Sequence, residues 1–195
     1  MKTWQDVASL YQIYPRSFLD TNGDGIGDLN GITEKLDYLA WLDVDAIWIS
    51  PFFTSPMTDF GYDIANYRAV DPTFGDMEDF QKLLEKAHTL DIKVMIDLVP
   101  CHTSNQHPWF QESRSSRDNP KRDYYVWHDG KDNSEPNNWR SLSDGSSWEF
   151  DEHTGQFYLH SFLKTQPDLN WDNPAVRTEM KNIVRFWFDM GVDGM

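Results

Sequence analysis

In the run Asp20-Thr-Asn-Gly-Asp-Gly-Ile-Gly-Asp28, oxygen donors fall where a hard divalent cation would want them. Asp20, Asn22, Asp24 and Asp28 match positions 1, 3, 5 and 9 of a calcium loop, and Gly25 at position 6 permits the sharp turn. Ile26, at position 7, would offer its backbone carbonyl. The twelfth position is Gly31 rather than Glu, and no flanking pair of EF-hand helices is visible. The role on offer is therefore structural: Ca2+ or Mg2+ clamping one loop. The same residues also describe an Asx-turn loop that holds no metal.

Three other clusters carry chemistry. In Gly61-Tyr-Asp-Ile64, Tyr62 could stack on a sugar ring and Asp63 could accept two of its hydroxyls; a turn tyrosine and a surface aspartate explain the tetrapeptide equally well. Asp97-Leu-Val-Pro-Cys-His-Thr-Ser104 starts inside an apolar strand, where a carboxylate needs a partner, usually Arg. His102, at the strand tip, could donate a hydrogen bond into a site or serve the fold alone. Gln166-Pro-Asp-Leu-Asn-Trp171 could face a cleft or cap the helix that follows.

The elements that must position these groups alternate. Ala8–Tyr14 reads as a strand, and Leu29, Ile32, Leu36 and Leu39 recur at helical spacing. Ala46-Ile-Trp-Ile49 is an unbroken apolar run, the mark of a strand covered on both faces, with a loop expected from Ser50 to about Gly75. Asp76 offers an N-cap to a helix with Met77, Phe80, Leu83, Leu84 and Ala87 on one face. Lys93–Val99 is the third strand. This order predicts parallel βαβ units, whose C-terminal strand ends carry the Tyr62 and His102 loops.

From Cys101 to Asp172 the rhythm breaks into Asn, Asp, Ser and Trp, with short β-like pieces such as Gln156–His160. So long a structureless loop is improbable in a compact domain, so an inserted subdomain is expected. Asn173-Pro174 opens another helix, with Val176, Met180, Ile183 and Trp187 on one face, and Gly191–Met195 approaches a fourth strand. The expected organisation is residues 1–100 as the first part of a barrel, 101–172 as the insert, and 173–195 as the third barrel helix and the approach to strand 4. An eight-fold barrel needs about 250 residues, so Met195 is expected to be a truncation point.

Of 195 residues, 39% are hydrophobic and 15% aromatic, which excludes a disordered chain. A formal net charge of -15 disfavours nucleic acid and anionic membranes as partners. No run approaches the length of a membrane span, and the residues after Met1 form no signal peptide. Cys101 is the single cysteine, so no intrachain disulfide is possible and a cytoplasmic location is expected.

Together these segments resemble glycoside hydrolase family 13, the α-amylase superfamily, and most closely its oligo-1,6-glucosidase and α-glucosidase group. Tyr11-Gln-Ile-Tyr-Pro-Arg-Ser17 is similar to that group's first barrel strand, Asp20–Asp28 to its metal loop, and Gly61–Ile64 to the loop gripping the terminal glucose. Asp97–His102 resembles the first superfamily motif, and Gln166–Asn170 the motif that marks the group. The resemblance implies a partial TIM (β/α)8 barrel, its first three β/α units followed by a small domain B after strand 3. It also implies a retaining α-glucosidase acting on non-reducing ends of disaccharides or short oligosaccharides, monomeric at full length.

By the same resemblance Tyr62 is the stacking platform, Asp63 binds terminal hydroxyls, His102 stabilises the transition state and Gln166 lines the cleft. Asp97 would pair structurally with an Arg on strand 4. The nucleophile, acid/base and third carboxylate would lie beyond Met195, so these residues alone would be inactive. Cys101 departs from the family's usual Asn. Alternatives are a trehalose synthase-type isomerase, a non-catalytic transporter heavy subunit, and a carbohydrate- or metal-binding fragment.

Overall fold

The computed structural model describes residues 9–131 and 134–195. Ala8, the expected first residue of the opening strand, and the Met1–Val7 segment lie outside the described residues. The chain divides into two compact units: residues up to Thr54 with Arg68–Leu98 and Ile183–Met195, and Ser55–Tyr67 with Val99–Asn182.

In the first unit three apolar runs become parallel strands. β1 (Leu10–Ile13), β2 (Ala46–Ile49) and β5 (Lys93–Ile96) lie in the order β1-β2-β5, with Ile13 opposite Ile49 and Ile49 opposite Ile96. Between them run α1 (Leu29–Trp41) and α2 (Met77–Thr89). The helical spacing read from the sequence is the buried face: Leu29, Ile32, Leu36 and Leu39 are buried on α1, and Phe80, Leu83, Leu84 and Ala87 on α2. Asp76 caps α2 through Glu78 and Asp79, and the Asp79 side chain returns a bond to the Asp76 amide, closing a capping box.

Residues beyond Asp189 lie beside β5 through an isolated parallel bridge. Asp193 donates its amide to Val94 O, Ile96 donates to Gly194 O, and Met95 and Gly194 form a parallel bridge. Trp187, from α4 (Pro174–Asp189), is fully buried against Phe52, Phe53 and Phe80. Two expectations need correction. The third strand ends at Ile96, not Val99, four residues before Pro100, which has no amide to donate to a ladder. The supposed loop from 50 to 75 holds β3 (Phe53–Thr54) and β4 (Asn66–Val70), which pair beside Thr54 and Val70. β3 is too short to display a period-2 pattern, and β4 sets polar Asn66 and Arg68 around its buried Tyr67.

The second unit contains α3 (Pro108–Ser113) and an antiparallel sheet in the order β6-β8-β7, from β6 (Trp127–His128), β7 (Trp148–Asp151) and β8 (Gln156–Leu159). Phe110 packs on Tyr125, Trp127 and Tyr158, and the buried Arg122 guanidinium lies 3.5 Å from the Trp127 ring centroid. This unit is wider than the expected insert of residues 101–172, since it also takes in Ser55–Tyr67.

Candidate functional site

The second unit gathers three sequence clusters that are far apart in the chain. Residues 101–105 zip against 165–169: Thr103 donates its amide to Pro167 O, Asn105 to Thr165 O and Leu169 to Cys101 O, with His102 and Asp168 bridged antiparallel. Ser104 donates its amide to Ile64 O and so joins the Gly61–Ile64 loop to the same lattice. The backbone of all three motifs is thereby fixed before any side chain is considered.

Asp63 does not do what the sequence suggested. It has no exposed surface, and its carboxylate accepts from Ser55 Oγ (2.8 Å), the Thr58 amide (2.9 Å) and the Asp59 amide (3.0 Å). It braces its own loop from within and presents nothing to a ligand. The loop needs that brace, because Met57 and Phe60 adopt φ of 60° and 49°, unfavourable for side chains with a Cβ, before Gly61 at 109°. The half-buried carboxylate of the loop is Asp59.

Gln166 also changes role. It is fully buried, so it lines no cleft; its Nε2 donates to Asp59 Oδ2 (2.8 Å) while its Oε1 accepts from the Leu163 amide (3.0 Å). It therefore aims Asp59. Sequence reasoning missed Asp59 because it lies outside the Gly61–Ile64 tetrapeptide. The signal was a second acid four residues before a carboxylate that the turn itself consumes.

Tyr62 is half-buried, its carbonyl oxygen held 3.0 Å from His102 Nε2. The His102 ring is buried, packs edge-on against Phe162 at 5.2 Å, and has Cys101 Sγ 3.1 Å from Nδ1. Burial pushes its pKa below the ordinary histidine value, against the Tyr62 hydrogen bond and the negative charges of Asp168, Asp59 and Asp63, so the ring is neutral. Phe162 also lines a cavity of about 300 Å³ with Trp148, His160, Leu163 and the acids Glu135, Asp144 and Glu149.

In the first unit Asp97 is half-buried just beyond β5 and accepts from Trp48 Nε1 at 2.9 Å. That indole, on the neighbouring strand, supplies a partner other than the expected arginine.

The Asp20–Asp28 loop forms the turns its composition allows. Asp20 accepts from the Asn22, Gly23 and Gly25 amides, Asn22 from Asp24, and Asp24 from Ile26. These backbone donors, Gly25 and Gly23 foremost, lower the Asp20 pKa. Asp28 is buried and busy: it caps α1 through the Gly31 amide and accepts from Thr21. A Cβ at Gly31 would overlap Leu19 O, so the position where an EF-hand carries Glu has no room for a side chain. The oxygen donor set fits a hard cation chemically. Yet among the described residues no three His, Cys, Asp or Glu side chains converge to hold a metal.

Residues 12–195 match the family model described as "Alpha amylase, catalytic domain". The chain is 57% identical over 193 residues to an oligo-1,6-glucosidase of Parageobacillus thermoglucosidasius, covering 99% of this chain and 34% of that protein. The crystal structure of an alpha-glucosyl transfer enzyme superposes over 100% of this chain and 36% of its own, with a TM-score of 0.98 and 60% identity. That of a trehalulose synthase variant in complex with Tris does so over 100% and 35%, with a TM-score of 0.98 and 56% identity. The chain thus spans about a third of the proteins it matches.

Proposed function

The chain belongs to the alpha-amylase catalytic-domain family, and we propose that it supplies the glucose-gripping part of a retaining α-glucosidase that cleaves short α-glucosides from their non-reducing ends. One observation carries the reading: Asp59 is aimed by the buried Gln166 beside Tyr62, whose carbonyl His102 holds. A pyranose stacked on Tyr62 would offer its hydroxyls to Asp59. The negative charge of Asp59 and Asp168 would favour the oxocarbenium-like transition state of glycosidic cleavage. The neutral His102 would steady the platform. The paired carboxylates that break the bond are expected beyond Met195 and belong to the longer protein.

The fit to a trehalulose synthase favours a second reading, in which the glucosyl group is transferred instead of released to water. A protein carrying this chain as its N-terminal third, incubated with sucrose and with isomaltose, separates the two. Glucose and fructose from sucrose, with glucose from isomaltose, support hydrolysis; a rearranged disaccharide from sucrose supports transfer. No turnover of either sugar would remove both.

Asp20, Asn22, Asp24, Asp28 and the Ile26 carbonyl would hold a structural Ca2+ or Mg2+, which supplies charge to fix the loop and takes no part in bond cleavage. The spacing of the oxygen donors supports this assignment, and the lack of converging acids among the described residues opposes it. No helix among the described residues is long and apolar enough to cross a membrane. Cytoplasmic residence, supported by the single cysteine, and a monomeric state at full length complete the proposal.

A further inference from the structure

We propose that Cys101 is a positioning residue for His102: its thiol donates to Nδ1 and holds the ring neutral, with the Nε2 proton committed to the carbonyl of Tyr62. The proton assignments follow from what each partner can do. Tyr62 O, 3.0 Å from Nε2, can only accept, so Nε2 carries a hydrogen. In a neutral imidazole Nδ1 is then bare and needs a donor. Cys101 Sγ lies 3.1 Å from it, within reach for a sulfur hydrogen bond, and S–H is the hydrogen available there.

The surroundings make this contact matter. Asp168, Asp59 and Asp63 all favour the imidazolium, while burial and the edge of Phe162 disfavour it. A thiol donating to Nδ1 adds to the neutral side, because an imidazolium would turn an N–H toward sulfur, a weak acceptor. Cys101 is exposed as a residue, but partial desolvation of its sulfur, with Asp168, pushes the thiol pKa up, so the S–H is present at neutral pH. The amide of the family's usual Asn offers both a donor and an acceptor here; cysteine keeps chiefly the donor. The chain from Sγ through the imidazole to Tyr62 O thus fixes the sugar platform from behind. Its functional meaning rests on the reading of Tyr62 as that platform; the hydrogen-bond chain itself does not.

Selective 15N labelling of histidine, in the 195-residue chain or the longer protein containing it, reads the His102 protonation midpoint and tautomer directly, with His102→Gln as the assignment control. Cys101→Ala should raise the midpoint. In the chain, methyl methanethiosulfonate should do the same, converting S–H to S–S–CH3 with loss of methanesulfinate, and a thiol reductant should restore the original value. Cys101→Ser, which keeps a donor, should retain the Nε2–H tautomer. Coincident midpoints in wild type, Cys101→Ala and the capped chain would overturn the assignment, as would a neutral ring protonated on Nδ1. If the midpoints move as expected while α-glucoside turnover does not respond in the longer protein, the fault lies with the sugar-site reading.

Discussion

Asp59 and Asp63 stand four residues apart, and only their surroundings tell them apart. Asp63 satisfies two amides and a hydroxyl and is sealed from solvent; Asp59 is half-buried and aimed by Gln166. The tetrapeptide singled out Asp63, a carboxylate its own loop consumes, because sequence records which acids are present and not which the backbone consumes. Asp59→Asn in the longer protein should cut kcat/KM for a short α-glucoside by about tenfold to a hundredfold, since a charged hydrogen bond to substrate is worth roughly 1.5–3 kcal/mol. Its melting temperature should stay near wild type. Asp63→Ala should instead destabilise the protein by on the order of 2 kcal/mol by orphaning buried donors. Steady-state kinetics beside thermal melts decide it, and a reversal of the two patterns would return the sugar contact to Asp63.

At the scale of elements, helical apolar spacing located α1, α2 and α4 because each buries one face, and apolar runs located β1 and β2, although Leu10 and Tyr11 of β1 are exposed. β3 and β6 escaped because two residues carry no period; β4, of five residues, and β7, of four and paired with the nearby β8, mix polar with apolar residues instead of forming an apolar run. α3 escaped too, although its cap was visible as His107-Pro108. His107 Nδ1 accepts from the Trp109 amide at 3.1 Å, which requires a bare nitrogen, and burial pushes its pKa down to about 3. The folded value lies below the ordinary 6.5, so the unfolded chain binds the proton first. The stability this group contributes is complete above that ordinary value and is lost as pH falls toward about 3. Denaturant midpoints across this window should fall more steeply for wild type than for His107→Asn, which keeps a cap without a titrating group; parallel curves would contradict the assignment.

The metal loop is a second test at this scale. If the Asx turns of Asp20–Asp28 enclose a cation, calcium should raise the melting temperature of the longer protein by linkage, and Asp24→Ala should abolish the rise. Equal melting temperatures with calcium and with a chelator would leave the loop a metal-free turn, as the scattered acids suggest.

For the whole molecule the question is what these residues can do alone. Retaining cleavage needs two carboxyl groups about 5–5.5 Å apart, one free to attack and one free to give a proton. The acids around His102 have no such freedom. Asp63 is sealed in its loop, Asp168 accepts from the Ser161 amide and hydroxyl, and Asp59 is tied to Gln166. The partial barrel was legible because parallel βαβ units repeat, and the chain matches about a third of its relatives' length. The acids that would complete a pair are expected in the longer protein, beyond the bridge that Gly194 makes to Met95. The 195-residue chain should therefore release no p-nitrophenol from p-nitrophenyl α-glucoside above the buffer rate, whatever its state of folding. It should be purified from a host lacking α-glucosidase and its mass verified, so that a trace of longer enzyme cannot supply the signal. The longer protein should turn over the same substrate, and Asp59→Asn should remove most of that activity. Turnover by the short chain that survives Asp59→Asn but is lost in Asp168→Asn would place the catalytic acid inside these residues and overturn the division of labour argued for the site.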